Sequence, residues 1–77
     1  MKAKRTKQEP ETIGQRIRAE RERLGWSHMD LATAIKSDPR NVAAYESGKK
    51  GVGRIVGERI CGAFGWTLDR LFRGISK

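Results

Sequence analysis

Residues 27–47 have the sequence SHMDLATAIKSDPRNVAAYES, and this stretch determines the fold that we expect. Ser27, followed three residues later by Asp30, resembles a helix cap. The apolar residues that follow have helical spacing: Leu31, Ala32 and Ile35. Asp38 is a favourable N-cap, and Pro39 suits the first helical position, where its missing N–H costs nothing. The stretch therefore predicts two short helices joined by a tight turn.

The boundaries of this helix pair follow from its breaker residues. The first helix ends where residues 36–39 interrupt the apolar pattern. The second is predicted over residues 39–47, with Val42 and Tyr45 facing the core. Gly48 follows it, in the position that a C-terminal glycine takes after a helix.

A further helix is predicted before this pair. Thr12 and Gln15 fit a capping box, so this helix is expected to continue to about Leu24 and to end at Gly25. The apolar residues expected on its inner face are Ile13, Ile17 and Leu24.

Two more helices are predicted after the pair. A loop over residues 48–53 leads into a fourth helix, which ends at Gly65. Thr67 caps a fifth helix over residues 68–73, which Gly74 ends. The apolar residues that the fourth helix is expected to use for packing are Ile55, Val56, Ile60, Cys61 and Phe64. Five short helices and no strand candidate predict an all-α fold.

Composition and charge limit the classes of function. The 77 residues include 17 Lys and Arg against nine Asp and Glu, a net charge of +8, which favours a polyanionic partner. The single Cys61 and the single His28 are too few for a structural zinc site or a disulfide framework. Nothing near them resembles a nucleophile with its base. We therefore expect no metal, no cofactor and no catalytic activity.

The N-terminal segment differs in composition from the rest of the chain. Residues 1–11, MKAKRTKQEPE, are basic and have little to pack, so they predict a disordered arm before one folded domain over residues 12–77. This arm either contacts nucleic acid or only solubilises the chain. The sequence has no apolar run that could span a bilayer and no secretory signal, so the expected location is cytoplasmic.

A gapless series of motifs runs from Ile13 to Gly74. It consists of Ile13-Gly14-x-Arg16-Ile17-Arg18, Gly25-Trp26-Ser27, Leu31-Ala32, Val42, Glu46-x-Gly48-Lys49 and Phe64-Gly65-Trp66-Thr67-Leu68-Asp69-x-Leu71-Phe72-x-Gly74. In this order and spacing the motifs resemble the Cro/repressor-type, XRE-like helix-turn-helix family. The resemblance implies a five-helix, lambda-repressor-like DNA-binding domain, found in transcriptional repressors that are often phage-encoded and usually dimeric on palindromic operators.

The resemblance also implies roles for individual residues. Residues 39–47 would be the recognition helix in the major groove of double-stranded DNA. The positions that would face bases are Pro39, Arg40, Ala43 and Ala44. The positions that would contact phosphates or fix the register are Ser27, His28, Asn41, Ser47 and Lys49, and Lys50 follows as a further phosphate contact. Arg21 and Glu46 would form an ion pair between the first helix and the end of the recognition helix.

Two departures from the family pattern affect the geometry. The family usually has Gln at the position of His28. At the turn it usually has Gly followed by an aliphatic residue, where this chain has Lys36 and Ser37. Lys36 therefore either adopts a left-handed conformation that suits glycine better, or the turn differs.

The function that we expect is a sequence-specific DNA-binding regulator, a phage- or prophage-type repressor acting as a homodimer. The surface expected for the dimer comprises Leu71, Phe72 and Ile75. Two alternatives remain open at this point. One is the helix-turn-helix antitoxin of a toxin–antitoxin pair, and the other is a protein-interaction module on the same fold that has lost DNA binding. Because Pro39, Ala43 and Ala44 cannot donate hydrogen bonds to bases from their side chains, phosphate contacts are expected to supply much of the affinity.

Overall fold

The computed structural model describes residues 12–73, and these residues form five α-helices. The helices are α1 (Ile13–Arg23), α2 (His28–Ile35), α3 (Pro39–Ser47), α4 (Arg54–Phe64) and α5 (Leu68–Phe72). No strand occurs within this range, and the prediction of an all-α fold is confirmed. The predicted basic arm, the helix stop at Gly74 and the dimer residue Ile75 lie outside the described residues.

Side-chain caps fix the starts of four helices. Thr12 and Gln15 form the predicted capping box of α1, and Ser27 with Asp30 forms the corresponding box of α2. Asp38 accepts a hydrogen bond from the backbone N–H of Arg40 at 2.7 Å, with Pro39 in the first turn of α3. The Thr67 side chain caps α5 in a similar way. Since each cap satisfies N–H groups that a helix start leaves free, the helix boundaries are encoded locally.

Lys36 takes the left-handed conformation that the sequence offered as one of two alternatives. It ends α2 with φ 58° and ψ 50°, and it is the one non-glycine residue with a positive φ among the described residues. The tight turn between α2 and α3 is thereby kept, although a side chain other than hydrogen is unfavourable in this region.

The core draws on all five helices. Its fully or nearly buried residues are Ile17, Leu31, Ala32, Ile35, Val42, Tyr45, Ile60, Cys61 and Leu71. Trp26, Phe64 and Trp66 are half-buried and pack against the margin of this cluster. The burial of Val42 and Tyr45 fixes the rotation of α3 and leaves its opposite face in solvent.

Three sequence predictions about apolar residues are wrong. Leu24 is the C-cap of α1, where the chain turns away from the core, and it is exposed. Ile55 is 68% exposed because it lies off the stripe formed by the other apolar residues of α4. Leu71, expected on a dimer surface, is fully buried in the core, so it is not accessible to a second copy.

Gly14 marks the closest approach of two helices. A Cβ atom at this position would lie 2.5 Å from the backbone carbonyl oxygen of Tyr45, and it would also meet the carbonyl group of Glu46. The absence of a side chain therefore lets α1 lie directly against the C-terminal end of α3.

Candidate nucleic-acid interface

The exposed face of α3 carries the residues that the sequence assigned to base contacts. Arg40 and Ala43 are exposed, whereas Pro39 and Ala44 are half-buried. Arg40, Ala43 and Ala44 lie on the side of the helix that faces away from Val42 and Tyr45, and Pro39, three residues before Val42, lies at the edge of that side. The arrangement gives one arginine at the helix start and a small apolar surface beside it, with room for a close approach by another molecule.

Arg40 is held only loosely. Its side chain is 91% exposed, and its Nε lies 3.3 Å from Oδ1 of Asp38. The Arg40 guanidinium, by hydrogen bonding with this carboxyl group, holds the pKa of Asp38 below its ordinary value. A surface pair of this kind has little net strength, so Arg40 is free to exchange the carboxylate for another acceptor.

Asn41 links α3 to the residues on either side of it. Its Nδ2 donates a hydrogen bond to Oγ of Ser37 at 3.0 Å, and its Oδ1 accepts one from Nζ of Lys50 at 3.0 Å. The ammonium group of Lys50 also lies 5.9 Å from the centre of the Tyr45 ring. These contacts orient the amide group and hold Lys50 near α3.

Ser27, Ser47 and Lys49 lie at the two ends of the helix pair. The Ser27 oxygen accepts from the backbone N–H of Asp30, which leaves its own hydroxyl proton for another acceptor. The Ser47 hydroxyl lies 3.2 Å from the carbonyl oxygen of Ala44, to which it donates. Lys49 is exposed directly after α3.

The ion pair between Arg21 and Glu46 is present. Arg21 Nε donates to Glu46 Oε2 at 2.6 Å and Arg21 Nη2 donates to Oε1 at 3.2 Å, which forms a two-bond fork. Only 11% of the Arg21 side chain and 6% of the Glu46 side chain are exposed. The hydrogen bonding that Arg21 donates to this carboxylate raises the pKa of Arg21 above its ordinary value. Arg21 also donates to the carbonyl oxygen of Trp26 at 2.7 Å, so one guanidinium connects α1, the entry to α2 and α3.

His28 makes a contact that the sequence did not predict. Its Nε2 lies 3.2 Å from Oε1 of Glu46, so the first residue of α2 meets the end of α3 through the carboxylate that Arg21 also holds. The two residues are 18 positions apart, and no periodicity connects them. The contact between Asn41 and Ser37 was also missed, although its four-residue spacing is a signal that could have suggested it.

Positive charge without a carboxylate partner flanks the helix pair. Lys36, Lys49 and Lys50 make no ion pair with a described residue, whereas Arg18, Arg23, Arg54 and Arg73 are each paired with an acidic side chain. Unpaired charge of this sign attracts a polyanion.

Two other kinds of site are not seen in the described part of the chain. No group of three or more potential metal-ligating side chains occurs within residues 12–73. Within the same range, no helix has the length and apolar character that crossing a membrane requires.

Comparison with known proteins adds one positive finding. A family model described as a helix-turn-helix domain matches residues 12–72. A comparison with curated proteins found no match. The matched range includes all five helices and every side chain of the candidate interface.

Proposed function

The chain belongs to the helix-turn-helix domain family, in agreement with its resemblance to Cro/repressor-type proteins, and from this premise we propose that it is a sequence-specific transcriptional repressor. Membership of this family indicates a DNA-binding regulator, and domains of this kind are typically not enzymes. The observation that carries the proposal is the exposed face of α3, which begins with the loosely held Arg40 and is flanked by unpaired lysines.

In the proposed complex, α3 lies in the major groove of double-stranded DNA. Arg40 leaves Asp38 and donates two hydrogen bonds to a guanine, the commonest specific contact of arginine. Ala43 and Ala44 contact thymine methyl groups, and the half-buried Pro39 lies beside the base edges. Sequence recognition would thus depend chiefly on one long polar side chain.

Phosphate contacts are proposed to supply much of the affinity. The residues that would make them are Ser27, His28, Asn41, Ser47, Lys49 and Lys50. They lie at both ends of the helix pair, so they would fix the register of α3 in the groove. No cofactor is required for this mode of binding.

We further propose that the protein binds as a homodimer, in the cytoplasm, and that it is of a phage or prophage type. A single domain of this size makes few base contacts, and two copies on half-sites one helical turn apart would supply the missing affinity. The residues of the folded domain, 12–77, would carry the interface, and residues 1–11 would act as a separate basic arm.

Selection of bound duplexes from a random library at near-physiological salt tests this function. Enrichment of an inverted repeat supports a dimeric repressor, whereas a single half-site contradicts the dimer. The absence of duplex binding contradicts the proposed function and favours a protein-interaction module.

Arg40→Ala is the first variant to compare on the selected duplex. We expect it to lose about 1–3 kcal/mol of discrimination at one base pair, because the bidentate contact is removed. Arg54→Ala is the matched control, since Arg54 is also highly exposed but lies on α4 in a pair with Glu58. Equal loss of specificity in both variants would contradict the role of Arg40.

Lys49→Ala should weaken binding to all duplexes alike. One phosphate contact fewer would reduce the slope of log affinity against log salt by about one unit. An unchanged slope, measured by fluorescence anisotropy over a salt series, would remove Lys49 from the interface.

A further inference from the structure

The carboxylate of Glu46 is shared by two basic side chains from two different helices. Arg21 of α1 binds both of its oxygens, and His28 of α2 approaches Oε1 through Nε2. Only 6% of the Glu46 side chain is exposed, so its carboxylate is nearly covered.

This contact determines which ring nitrogen of His28 carries hydrogen. The paired carboxylate only accepts hydrogen bonds, so Nε2 must be the donor. In the neutral imidazole Nδ1 then has no hydrogen and is an acceptor. Only the protonated ring can donate from Nδ1 while Nε2 remains bonded to Glu46.

The His28 ring is accessible to a ligand. Its side chain is 44% exposed, and it is the first residue of α2, directly after the cap residue Ser27. A phosphate oxygen has no hydrogen to donate, so a neutral His28 held by Glu46 could not bond to it directly.

We propose that His28 binds a DNA phosphate only in its protonated form, so that DNA binding is coupled to proton uptake at this residue. The inference rests on the proposed function and adds regulation by pH to that interface. Glu46 acts on DNA indirectly here, as a positioning residue that assigns the two nitrogens of His28 to different partners.

Other charged groups surround His28 on α1 and α2. Arg21 remains charged, and its partner Glu22 on α1 lies at 3.9 Å. Arg18, by donating a hydrogen bond, holds the pKa of Glu22 below its ordinary value, so Glu22 stays ionised near neutral pH. Asp30 on α2 accepts from the backbone N–H of Ser27 at 2.8 Å. Among side-chain types with ordinary pKa values, only the imidazole changes charge between pH 5 and 8.

The DNA experiment compares the wild-type protein with His28→Gln on the selected duplex, at about pH 6 and about pH 8 and constant ionic strength. A glutamine amide donates hydrogen bonds at every pH. We expect wild-type affinity to fall by about tenfold at the higher pH, since a charge-assisted hydrogen bond is lost, while His28→Gln changes little. Circular dichroism at both pH values checks that each protein is folded.

Salt dependence gives a second result that a purely structural role for His28 would not produce. Protonated His28 neutralises one more phosphate, so the wild-type slope of log affinity against log salt should be steeper by about one unit at pH 6 than at pH 8. Equal pH dependence in the wild type and His28→Gln, or none in the wild type, would overturn the proposal.

A measurement without DNA separates this inference from the proposed function. The chain has a single histidine, so the nitrogen resonances of its ring in an NMR spectrum are unambiguous. At about pH 8 we expect hydrogen on Nε2 and none on Nδ1, and the opposite tautomer would overturn the inference even if DNA binds. If the tautomer is as expected but no duplex binds at either pH, the proposed function fails, and proton uptake on DNA fails with it.

Discussion

The Arg21–Glu46 pair links α1 to α3, and each charge is tolerated in its buried position because the other is present. Both side chains are nearly covered, and the fork of two hydrogen bonds compensates the loss of water around each charge. Removal of one member would leave the other charged and buried, which strongly destabilises a folded protein.

We therefore expect Arg21→Met to destabilise the protein strongly, by about 3 kcal/mol, because the buried Glu46 loses both hydrogen bonds of the fork and keeps only its contact with His28. The free energy of unfolding from urea titration measures this effect. The control is Arg18→Met on the same helix, because Arg18 is 64% exposed and its pair with Glu22 is open to solvent. A change as small as that of the control would show that the buried pair contributes nothing.

Lys36 offers a change in the opposite direction. Its left-handed backbone places Cβ close to the following carbonyl oxygen, a cost that glycine avoids. Lys36→Gly should therefore stabilise the fold by about 1 kcal/mol, seen as a higher urea midpoint with an unchanged slope. Destabilisation would show that the lysine side chain compensates for its backbone conformation.

Some contacts of the individual site residues could be predicted from the sequence and others could not. The pair of Arg21 and Glu46 followed from the family resemblance. The contact of His28 with Glu46 could not be predicted, because it depends on how the start of α2 lies against the end of α3. Tertiary placement of this kind has no signature in spacing or propensity.

At the scale of elements, the contact of α1 with α3 depends on Gly14. Any side chain there meets backbone carbonyl groups of α3, and backbone cannot move aside as a flexible side chain can. The close approach of α1 to α3 thus depends on the absence of a side chain at a single residue.

Gly14→Ala should push α1 away from α3 and cost about 1–3 kcal/mol of stability. Gly62→Ala is the matched control: a Cβ added at this glycine of α4 meets nothing within 4 Å. There the same substitution should stabilise by up to about 1 kcal/mol, since alanine favours helix more than glycine does. Thermal unfolding of both variants gives the signs, and the same sign for both would contradict the steric explanation.

Helix boundaries were predicted closely because the signals that set them are local. Caps and glycine stops act within a few residues, so α3 begins and ends where the sequence indicated. The two side chains that were expected to be buried and are exposed, Leu24 and Ile55, have separate reasons. Leu24 comes after the last helical residue, and Ile55 is five residues from Ile60, a spacing that does not place two residues on one helix face.

At the scale of the whole molecule, positive charge without a carboxylate partner occurs on more than one side of residues 12–73. Lys36, Lys49 and Lys50 flank the helix pair. On the other side of α1, Arg16 donates to the carbonyl oxygens of Arg70 and Leu71, and the Arg70 guanidinium lies 4.4 Å from the centre of the Trp66 ring. The net charge predicted a polyanionic partner, which agrees with membership of a DNA-binding family. It could not indicate which face of the domain the partner contacts.

The thiol of Cys61 lies far along the chain from the helix pair, in the junction of α4 and α5. It is buried, its Sγ donates to the carbonyl oxygen of Thr67 at 3.3 Å, and burial raises its pKa above the ordinary value. An alkylating reagent can therefore reach the reactive thiolate only while this junction is open. The rate of alkylation of Cys61 therefore reports how often the junction opens, and the measurement needs no added label. Measured with and without a bound duplex, this rate would show how far a ligand at α3 slows the transient opening of the junction of α4 and α5.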